Sequence, residues 1–168
     1  MERLSVLGVD IGNVIIASSA EKVEVGEPGF DEWFLGRSEV SGAIDTIAEL
    51  ARGPFEGRVH LITKRKSETN EMTFEWLRRH RFFDRVGMPE SNVHFCRRRE
   101  EKNGICQTCG VTHFVDDRLE VLSHLVTVPH RFLFNADEIE VAAFHQALDG
   151  VTCVASWSEI YHHIISHP

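Results

Sequence analysis

The sequence has few cysteines and no long hydrophobic run. Its 4 cysteines are spread over 168 residues, which is too few and too scattered for the disulfide framework of a small secreted protein. The N-terminal apolar run, Leu4 to Val9, is interrupted by Asp10 and is far shorter than the ~20 residues of a membrane-spanning helix. We therefore expect neither a signal peptide nor a membrane span, and we expect a cytoplasmic protein.

Internal repeats and low-complexity segments are also absent, and the composition is that of an ordinary globular protein. A chain of 168 residues can bury a sizeable core without help from disulfides or metals. We therefore expect one domain that spans residues 1–168.

Charge is distributed unevenly along the chain. The net charge is -8, yet residues 52–102 carry 13 Lys and Arg against 8 Asp and Glu. The basic run at residues 64–66 suits an anionic substrate. The basic runs at residues 78–81 and 97–99 are more typical of solvated surfaces, and nucleic-acid binding is the less favoured interpretation.

Short apolar segments alternate with amphipathic ones along the chain. We predict strands near residues 4–10, 58–63, 92–96, 112–116, 131–134 and 151–155, and helices near residues 40–52, 67–81, 100–109, 118–126, 137–149 and 156–166. The last helix has a capping box in Ser156 and Glu159. This alternation predicts an α/β fold, a Rossmann-like three-layer sandwich with a mainly parallel sheet.

Polar residues stand where several predicted strands end. Asp10 follows the first strand, Thr63 ends the second, and Asp116 and Asp117 end the fourth, while Lys102 lies early in the preceding helix. Ligands bind at the carboxyl edge of an open α/β sheet, so we expect a functional site there. Taken alone, Asp10 has a simpler interpretation as a cap on the turn that follows it.

Four short segments resemble the four motifs of the haloacid dehalogenase superfamily of phosphatases and related phosphoryl transferases. They are Asp10-Ile11-Gly12-Asn13-Val14, Leu61-Ile62-Thr63, Lys102 and Phe114-Val115-Asp116-Asp117. Each motif is weak alone, but their order and their places on predicted strands and helices suit the core of this family. The resemblance spans residues 4–122 and implies the fold of that core.

The resemblance implies a phosphatase whose nucleophile is Asp10. This carboxylate would attack phosphorus and form an aspartyl-phosphate that water later hydrolyses. Neighbouring carboxylates would repel a phosphate, so a bridging divalent cation is expected, and oxygen ligands favour magnesium. By resemblance the ligands are Asp10, the backbone carbonyl of Gly12 and Asp117, with Asp116 as an outer partner.

The resemblance also implies how the phosphate is held. Thr63 would donate to a phosphoryl oxygen, and Lys102 would hold the phosphate and orient the nucleophile. We expect the backbone at Ile11 and Gly12 and the neighbouring Lys64 to complete the substrate-binding set. The expected substrate is an anionic phosphorylated molecule whose identity no motif specifies.

Gly12 departs from the family pattern, because phosphatases of this family usually have a second Asp at that position as general acid and base. Losing such a group typically costs ~10² to 10⁴ in rate. One possibility is an enzyme whose substrate has a good leaving group or whose acid and base come from another residue. The alternative is an inactive relative that serves as a binding or scaffold module. Phosphonate hydrolases, transport ATPases and dehalogenases, which also lack the second Asp, suit the sequence less well.

The chain leaves little room for the lid domain that family members often carry. Residues 17–39, which we call the flap, and residues 64–101 are too short for one, so we expect a capless member with an open site. The flap aromatics Phe30, Trp33 and Phe34, with Leu35, suit a flap or a homodimer contact. They suit packing on the domain's own surface at least as well.

The segment Cys106-Gln107-Thr108-Cys109 allows two interpretations. With His94, Cys96 and His113 it can be drawn as a zinc site. Cys106 and Cys109 also have helical spacing ahead of Gly110, a plausible helix cap, so we favour the interpretation that both thiols face the core.

Overall fold

A computed structural model describes residues 4–167, which form a parallel sheet with helices on both faces. The strands follow the order β3-β2-β1-β4-β5-β6, and every pair of neighbours is parallel. Their bounds are β1 (Leu7–Val9), β2 (Val59–Lys64), β3 (Val93–Cys96), β4 (His113–Asp116), β5 (His130–Phe134) and β6 (Val151–Val154). The predicted Rossmann-like α/β fold is confirmed.

The helices fill the connections between the strands. They are α1 (Phe30–Leu35), α2 (Ala43–Arg52), α3 (Asn70–Arg79), α4 (Phe82–Val86), α5 (Glu101–Cys109), α6 (Leu119–His124), α7 (Glu138–Ala143) and α8 (Trp157–Ser166). Helix α8 begins as the capping box predicts, since the Ser156 hydroxyl accepts from the backbone of Glu159. The side chain of Asp137 caps α7 in the same way.

The sheet separates two hydrophobic cores. One lies under α1 to α4 and α8, and the other lies under α5 and α6. Gly8 faces the second core, where a Cβ atom built on it would lie 2.5 Å from the ring of Phe114. The strand before Asp10 therefore contains glycine because an aromatic ring occupies the space of its side chain.

The structure corrects several predicted boundaries. Two helices were not predicted, α1 inside the flap and α4, which follows a break at Arg81 in the left-handed region. The helix predicted over residues 137–149 is α7 followed by a 3₁₀ turn at residues 145–148. These short helices lie between turns and carry weak periodicity, which is why a pattern of apolar residues does not resolve them.

Within residues 4–167, none of the helices is long and apolar enough to cross a membrane.

His113 on β4 is a buried histidine whose protonation opposes folding. Its ring stacks on His130 and meets Phe55 edge-on, and it lies 2.8 Å from the Thr112 hydroxyl. Burial, with the nearby His130 and His163, lowers the pKa of His113 from 6.5 to about 4. The folded protein therefore holds this imidazole neutral at a pH where the unfolded chain binds a proton.

We predict that His113 makes the protein less stable in acid. Its contribution is present above pH 6.5 and declines as the pH falls toward 4, by roughly 2 to 3 kcal/mol over that range. In His113→Phe the loss of unfolding free energy between pH 7 and pH 5, measured in urea, should be smaller than in the wild type. His145→Gln, which changes an exposed imidazole, should keep the wild-type slope. Equal slopes in all three proteins would contradict the prediction.

Candidate active site

The polar strand ends predicted from the sequence meet at the carboxyl edge of the sheet. Strand β1 pairs with β2 on one side and β4 on the other, so the chain order reverses around it. Crevices at such switch points are where open α/β sheets bind ligands. Asp10 follows β1, Thr63 lies in β2, and Asp116 ends β4, so the topology brings all three to one crevice.

Lys102 lies in the first turn of α5 and connects two of these carboxylates. Its ammonium Nζ is 3.1 Å from Asp10 Oδ1 and 2.8 Å from Asp116 Oδ2. The side chain is 2% exposed. Burial alone would lower the pKa of Lys102, but the two carboxylates raise it above its usual value. The lysine is therefore a fixed positive charge that orients Asp10.

The two acids of the pair have different surroundings. Asp116 is fully buried, and both of its oxygens are used, since Oδ1 accepts from the backbone of Arg118 and Oδ2 accepts from Lys102. Asp117 is half-buried, and its Oδ2 accepts from the side-chain amide of Asn13 at 3.0 Å. Burial raises the pKa of both carboxyl groups, and the charge of Asp10 adds to this effect.

The acidic cluster has the donors that a divalent cation needs. Oxygens of Asp10, Asp116 and Asp117 all lie within 4.8 Å of one another. Lys102 forms ion pairs with two of these carboxylates, Asp10 and Asp116. Carboxylate oxygens are the ligands that hard divalent cations prefer, so the donor set fits such an ion.

These residues line a cavity of about 260 Å³. Its wall combines the acidic cluster with the hydroxyl-bearing Thr63 and several cations, namely Lys64, Arg65, Arg99, Lys102 and Arg118. Gly12 also lines the cavity, whereas the side chain of Ile11 is buried in the core. The predicted substrate-binding residues Gly12, Thr63, Lys64 and Lys102 therefore line the cavity, whereas the side chain of Ile11 does not reach it.

Asn13 lies in the site, although its position in the sequence predicts no role for it. Its backbone has φ of 62°, and its amide hydrogen-bonds Asp117. Asparagine tolerates this left-handed conformation better than most residues. The dipeptide Gly12-Asn13 indicates the turn. The hydrogen bond from Asn13 to Asp117 joins residues 104 positions apart, so no local pattern predicts it.

Arg65 lies over the space that a side chain at residue 12 would occupy. A Cβ atom built on Gly12 would meet only the Arg65 guanidinium, at 3.9 Å. The guanidinium also lies 5.3 Å from the ring centre of Phe34. Burial lowers the pKa of Arg65 to about 10, which still leaves it charged near neutral pH, and nearby Asp10 favours that charge.

A second cavity, of about 510 Å³, adjoins the first and shares Gly12, Asn13 and Arg65 with it. Flap residues form much of its wall, including Phe30, Trp33, Phe34 and Arg37. These aromatics pack against the protein's own core, as one of the two interpretations expected.

Hydrogen bonds fix the flap internally and to its neighbours. Within the flap, the Arg37 guanidinium donates to the carbonyl of Ala17. The Trp76 indole on α3 donates to the carbonyl of Arg37 at 2.8 Å and so joins the flap to the rest of the protein. The backbone N–H of Val40 donates to the carbonyl of Ile15 at 2.7 Å.

Many arginines of the basic runs pair with carboxylates of the same chain. Arg78 binds Glu71 and Glu90, and Arg99 binds Glu120. Much of the positive charge at residues 78–81 and 97–99 is therefore compensated locally.

The less favoured interpretation, a zinc site built from Cys106, Cys109, His94, Cys96 and His113, is not assembled as drawn. Cys106 is buried in the second core, and the Cys96 thiol donates to the carbonyl of Thr63. His113, on β4, stacks on His130 of β5. The favoured interpretation, that both thiols of the segment face the core, holds for Cys106, which is buried, and for Cys109, which is half-buried, packs against the same core and also lies beside His94.

Comparisons with known proteins support the fold. No protein-family model and no curated protein match this sequence. Solved structures do match, among them a protein of Burkholderia xenovorans LB400 described as a haloacid dehalogenase-like hydrolase, with 16% identity and a TM-score of 0.54. The match covers 79% of this chain and 63% of the Burkholderia protein. The chain therefore has the fold of that protein over most of its length.

We predict that Lys102 stabilises the fold only while both carboxylates are charged. Lys102→Met should lower the unfolding free energy by about 3 to 5 kcal/mol, because it leaves buried carboxylates without a counterion. In the double variant Lys102→Met, Asp116→Asn, part of that loss should be recovered, since an amide can still accept from Arg118. Urea unfolding at pH 7 without divalent cations measures both effects. A double variant that is no more stable than Lys102→Met would contradict this coupling.

Proposed function

We propose that this protein is a magnesium-dependent phosphatase that acts through an aspartyl-phosphate on a phosphorylated substrate. The observation that carries the proposal is the geometry of Asp10. Its carboxylate is held by the buried ammonium of Lys102, adjoins the acidic pair and lines a cavity rich in cations. A fixed carboxylate among cations is suited to attack an anionic phosphoryl group.

The proposed reaction has two steps at Asp10. In the first, a carboxylate oxygen forms a bond to phosphorus while the bond to the leaving oxygen breaks. In the second, water attacks the same phosphorus, the bond to Asp10 breaks, and inorganic phosphate leaves. Lys102 fixes the nucleophile and, with Thr63, holds phosphoryl oxygens through hydrogen bonds.

Magnesium fits the oxygens of Asp10 and Asp117, and the backbone carbonyl of Gly12 is the third proposed ligand. When bound, the ion neutralises charge on the transferred phosphoryl group. The hydrogen bonds of the two acids support Asp117 rather than Asp116 as the direct ligand. Both oxygens of Asp116 already accept hydrogen bonds, whereas Asn13 occupies only Oδ2 of Asp117.

Arg65 supplies charge where Gly12 supplies no acid. Its guanidinium reaches the space beside Gly12 and borders both cavities. A guanidinium can stabilise a leaving oxyanion by hydrogen bonding, but it does not give up its proton near neutral pH. The proposed enzyme therefore prefers substrates whose leaving group needs little protonation, such as aryl or acyl phosphates.

The second cavity is the proposed place for the rest of the substrate. It offers aromatic faces from the flap and the cations Arg37, Arg65 and Lys66. Such a wall suits a leaving group with a flat apolar part and further negative charge. The flap takes the place of a lid domain, so we propose that the protein is a capless member of its fold class.

We predict that phosphate release requires both Asp10 and magnesium. Asp10→Asn keeps the shape of the side chain but removes its charge, so phosphatase activity should fall below detection while the circular dichroism spectrum is retained. Asp117→Asn should instead raise the magnesium concentration that gives half-maximal rate. Release of phosphate from an aryl phosphate in a magnesium titration measures both.

Asp84→Asn is the matched control, because Asp84 is an exposed acid outside the cavity. It should keep the wild-type rate and magnesium dependence. Wild-type turnover by Asp10→Asn would refute the proposed nucleophile, and an unchanged magnesium requirement in Asp117→Asn would refute the proposed ligand.

We predict that Gly12→Asp changes which leaving groups are accepted. The backbone there is not in the left-handed region, and a Cβ atom would meet only the Arg65 guanidinium, at 3.9 Å, so the position accepts a side chain beside a cation. The new acid should raise kcat/KM for alkyl phosphates relative to aryl phosphates by roughly tenfold or more. Gly12→Asn has the same size without the acid and should leave that ratio unchanged. An equal change in both variants would contradict acid catalysis.

The absence of the usual acid also favours one alternative function, a binding or scaffold module without turnover. Beryllium fluoride mimics a phosphoryl group bound to a carboxylate and distinguishes the two. An enzyme should trap it at Asp10 in the presence of magnesium. No trapping, together with no activity in the wild type or in Gly12→Asp, would support the module instead.

A further inference from the structure

We propose that His60, His94 and Cys109 form a second metal site, which takes zinc and is separate from the carboxylates around Asp10. The three residues come from β2, β3 and the last turn of α5. Strands β2 and β3 pair so that Ile62 lies beside His94. His60 is two residues before Ile62 on β2, so its side chain lies on the same face of the sheet as that of His94. Helix α5 covers that face and brings the thiol to the two imidazoles.

Two of the three separations between donor atoms are close to the edges of a zinc tetrahedron. His60 Nδ1 lies 3.1 Å from His94 Nε2, and Cys109 Sγ lies 3.7 Å from the same nitrogen. Zinc–nitrogen and zinc–sulfur bonds of about 2.0 and 2.3 Å at tetrahedral angles give edges of about 3.3 and 3.5 Å. The three donors lie within 4.8 Å of one another overall, so small rotations of the side chains suffice.

The chemistry of the donors selects the ion. Imidazole nitrogen and thiolate sulfur favour zinc over magnesium, which prefers oxygen ligands. Burial lowers the pKa of His60 and His94 and raises the pKa of the Cys109 thiol, so metal binding would release the proton of that thiol. All three side chains are half-buried, which leaves a path for an ion.

A hydrogen bond between the imidazoles explains only part of this arrangement. One N–H donating to the other ring accounts for the 3.1 Å separation. The Cys109 thiol lies 3.7 Å from the same nitrogen, on a residue that packs against the second core. A shared cation satisfies all three donors at once.

Three protein ligands leave zinc one open position, for water or a small ligand. The ion would also join the end of α5 to β2 and β3. Lys102 lies at the other end of the same helix, about 10 Å away by the rise of an α-helix. The zinc site would therefore stabilise the helix that carries the lysine of the acidic cluster.

Cobalt titration of the full chain tests the proposal, because a cysteine thiolate bound to Co²⁺ gives a charge-transfer band that oxygen ligands do not. The protein is stripped of metal with a chelator, its thiols are reduced, and Co²⁺ is added. We expect the band to saturate at one equivalent and to disappear when Zn²⁺ is added. Zinc at a hundredfold excess over its Kd should raise the Tm by roughly 5 to 10 °C.

Variants identify the ligands. Cys109→Ser should lose the band and the rise in Tm, and His60→Gln or His94→Gln should weaken cobalt binding by roughly tenfold or more. Cys153→Ser, at the exposed cysteine of β6, should keep both signals. His163→Gln should also keep them, and it tests the stacked pair of His163 and His167 on α8 as a competing site.

Three results would overturn the proposal. They are a wild-type protein without the band, a band that survives Cys109→Ser, and a band lost in Cys153→Ser. Circular dichroism shows whether each variant folds. If Cys109→Ser does not fold, the two histidine variants decide, since retained wild-type affinity in both would exclude the site.

Discussion

The buried ammonium of Lys102 is the constraint on which the site depends. A charge in a dry interior is tolerated only when it is paired and hydrogen-bonded. Lys102 meets this condition only if α5 lies in a fixed position relative to β1 and β4, because Asp10 follows β1 and Asp116 ends β4. The same contact orients Asp10 and occupies one oxygen of Asp116, which leaves Asp117 as the more available acid.

Packing beneath the lysine supports this arrangement. The ammonium lies 5.6 Å from the ring centre of Phe114, close enough for a favourable cation–π contact. That ring in turn fills the space that a side chain at Gly8 would take. A glycine in the first strand, an aromatic residue in the fourth and a lysine in a helix therefore act as one unit, although they are distant in the sequence.

The sequence predicts the strands, the parallel sheet and the polar residues at the strand ends, because each follows from a local pattern of residue types. Alternation of apolar and amphipathic segments gives the parallel sheet, and polar residues at strand ends give Asp10, Thr63 and Asp116. Contacts between residues that are far apart in the sequence cannot be predicted from a local pattern. Neither the hydrogen bond from Asn13 to Asp117 nor the position of Arg65 over Gly12 follows from spacing along the chain.

The cysteine segment shows the same limit. Helical spacing places Cys106 and Cys109 on one side of α5, but their neighbours depend on how that helix sits on the sheet. Cys106 is buried in the second core, and Cys109, which packs against the same core, also lies beside His94 and, through it, His60. His60 is 49 positions before Cys109 in the sequence, and no motif with zinc-ligand spacing contains both.

The hydrogen bonds of the flap have a kinetic consequence. Trp76 joins the flap to the core through the carbonyl of Arg37, and the Arg37 side chain ties the flap together at Ala17, so the cleft is formed without a ligand. Enzymes that close a lid over their substrate are often limited by the reopening of that lid. In the proposed enzyme a fixed cleft would need no such gate, and diffusion together with the attraction of its cations would set the rate of substrate entry.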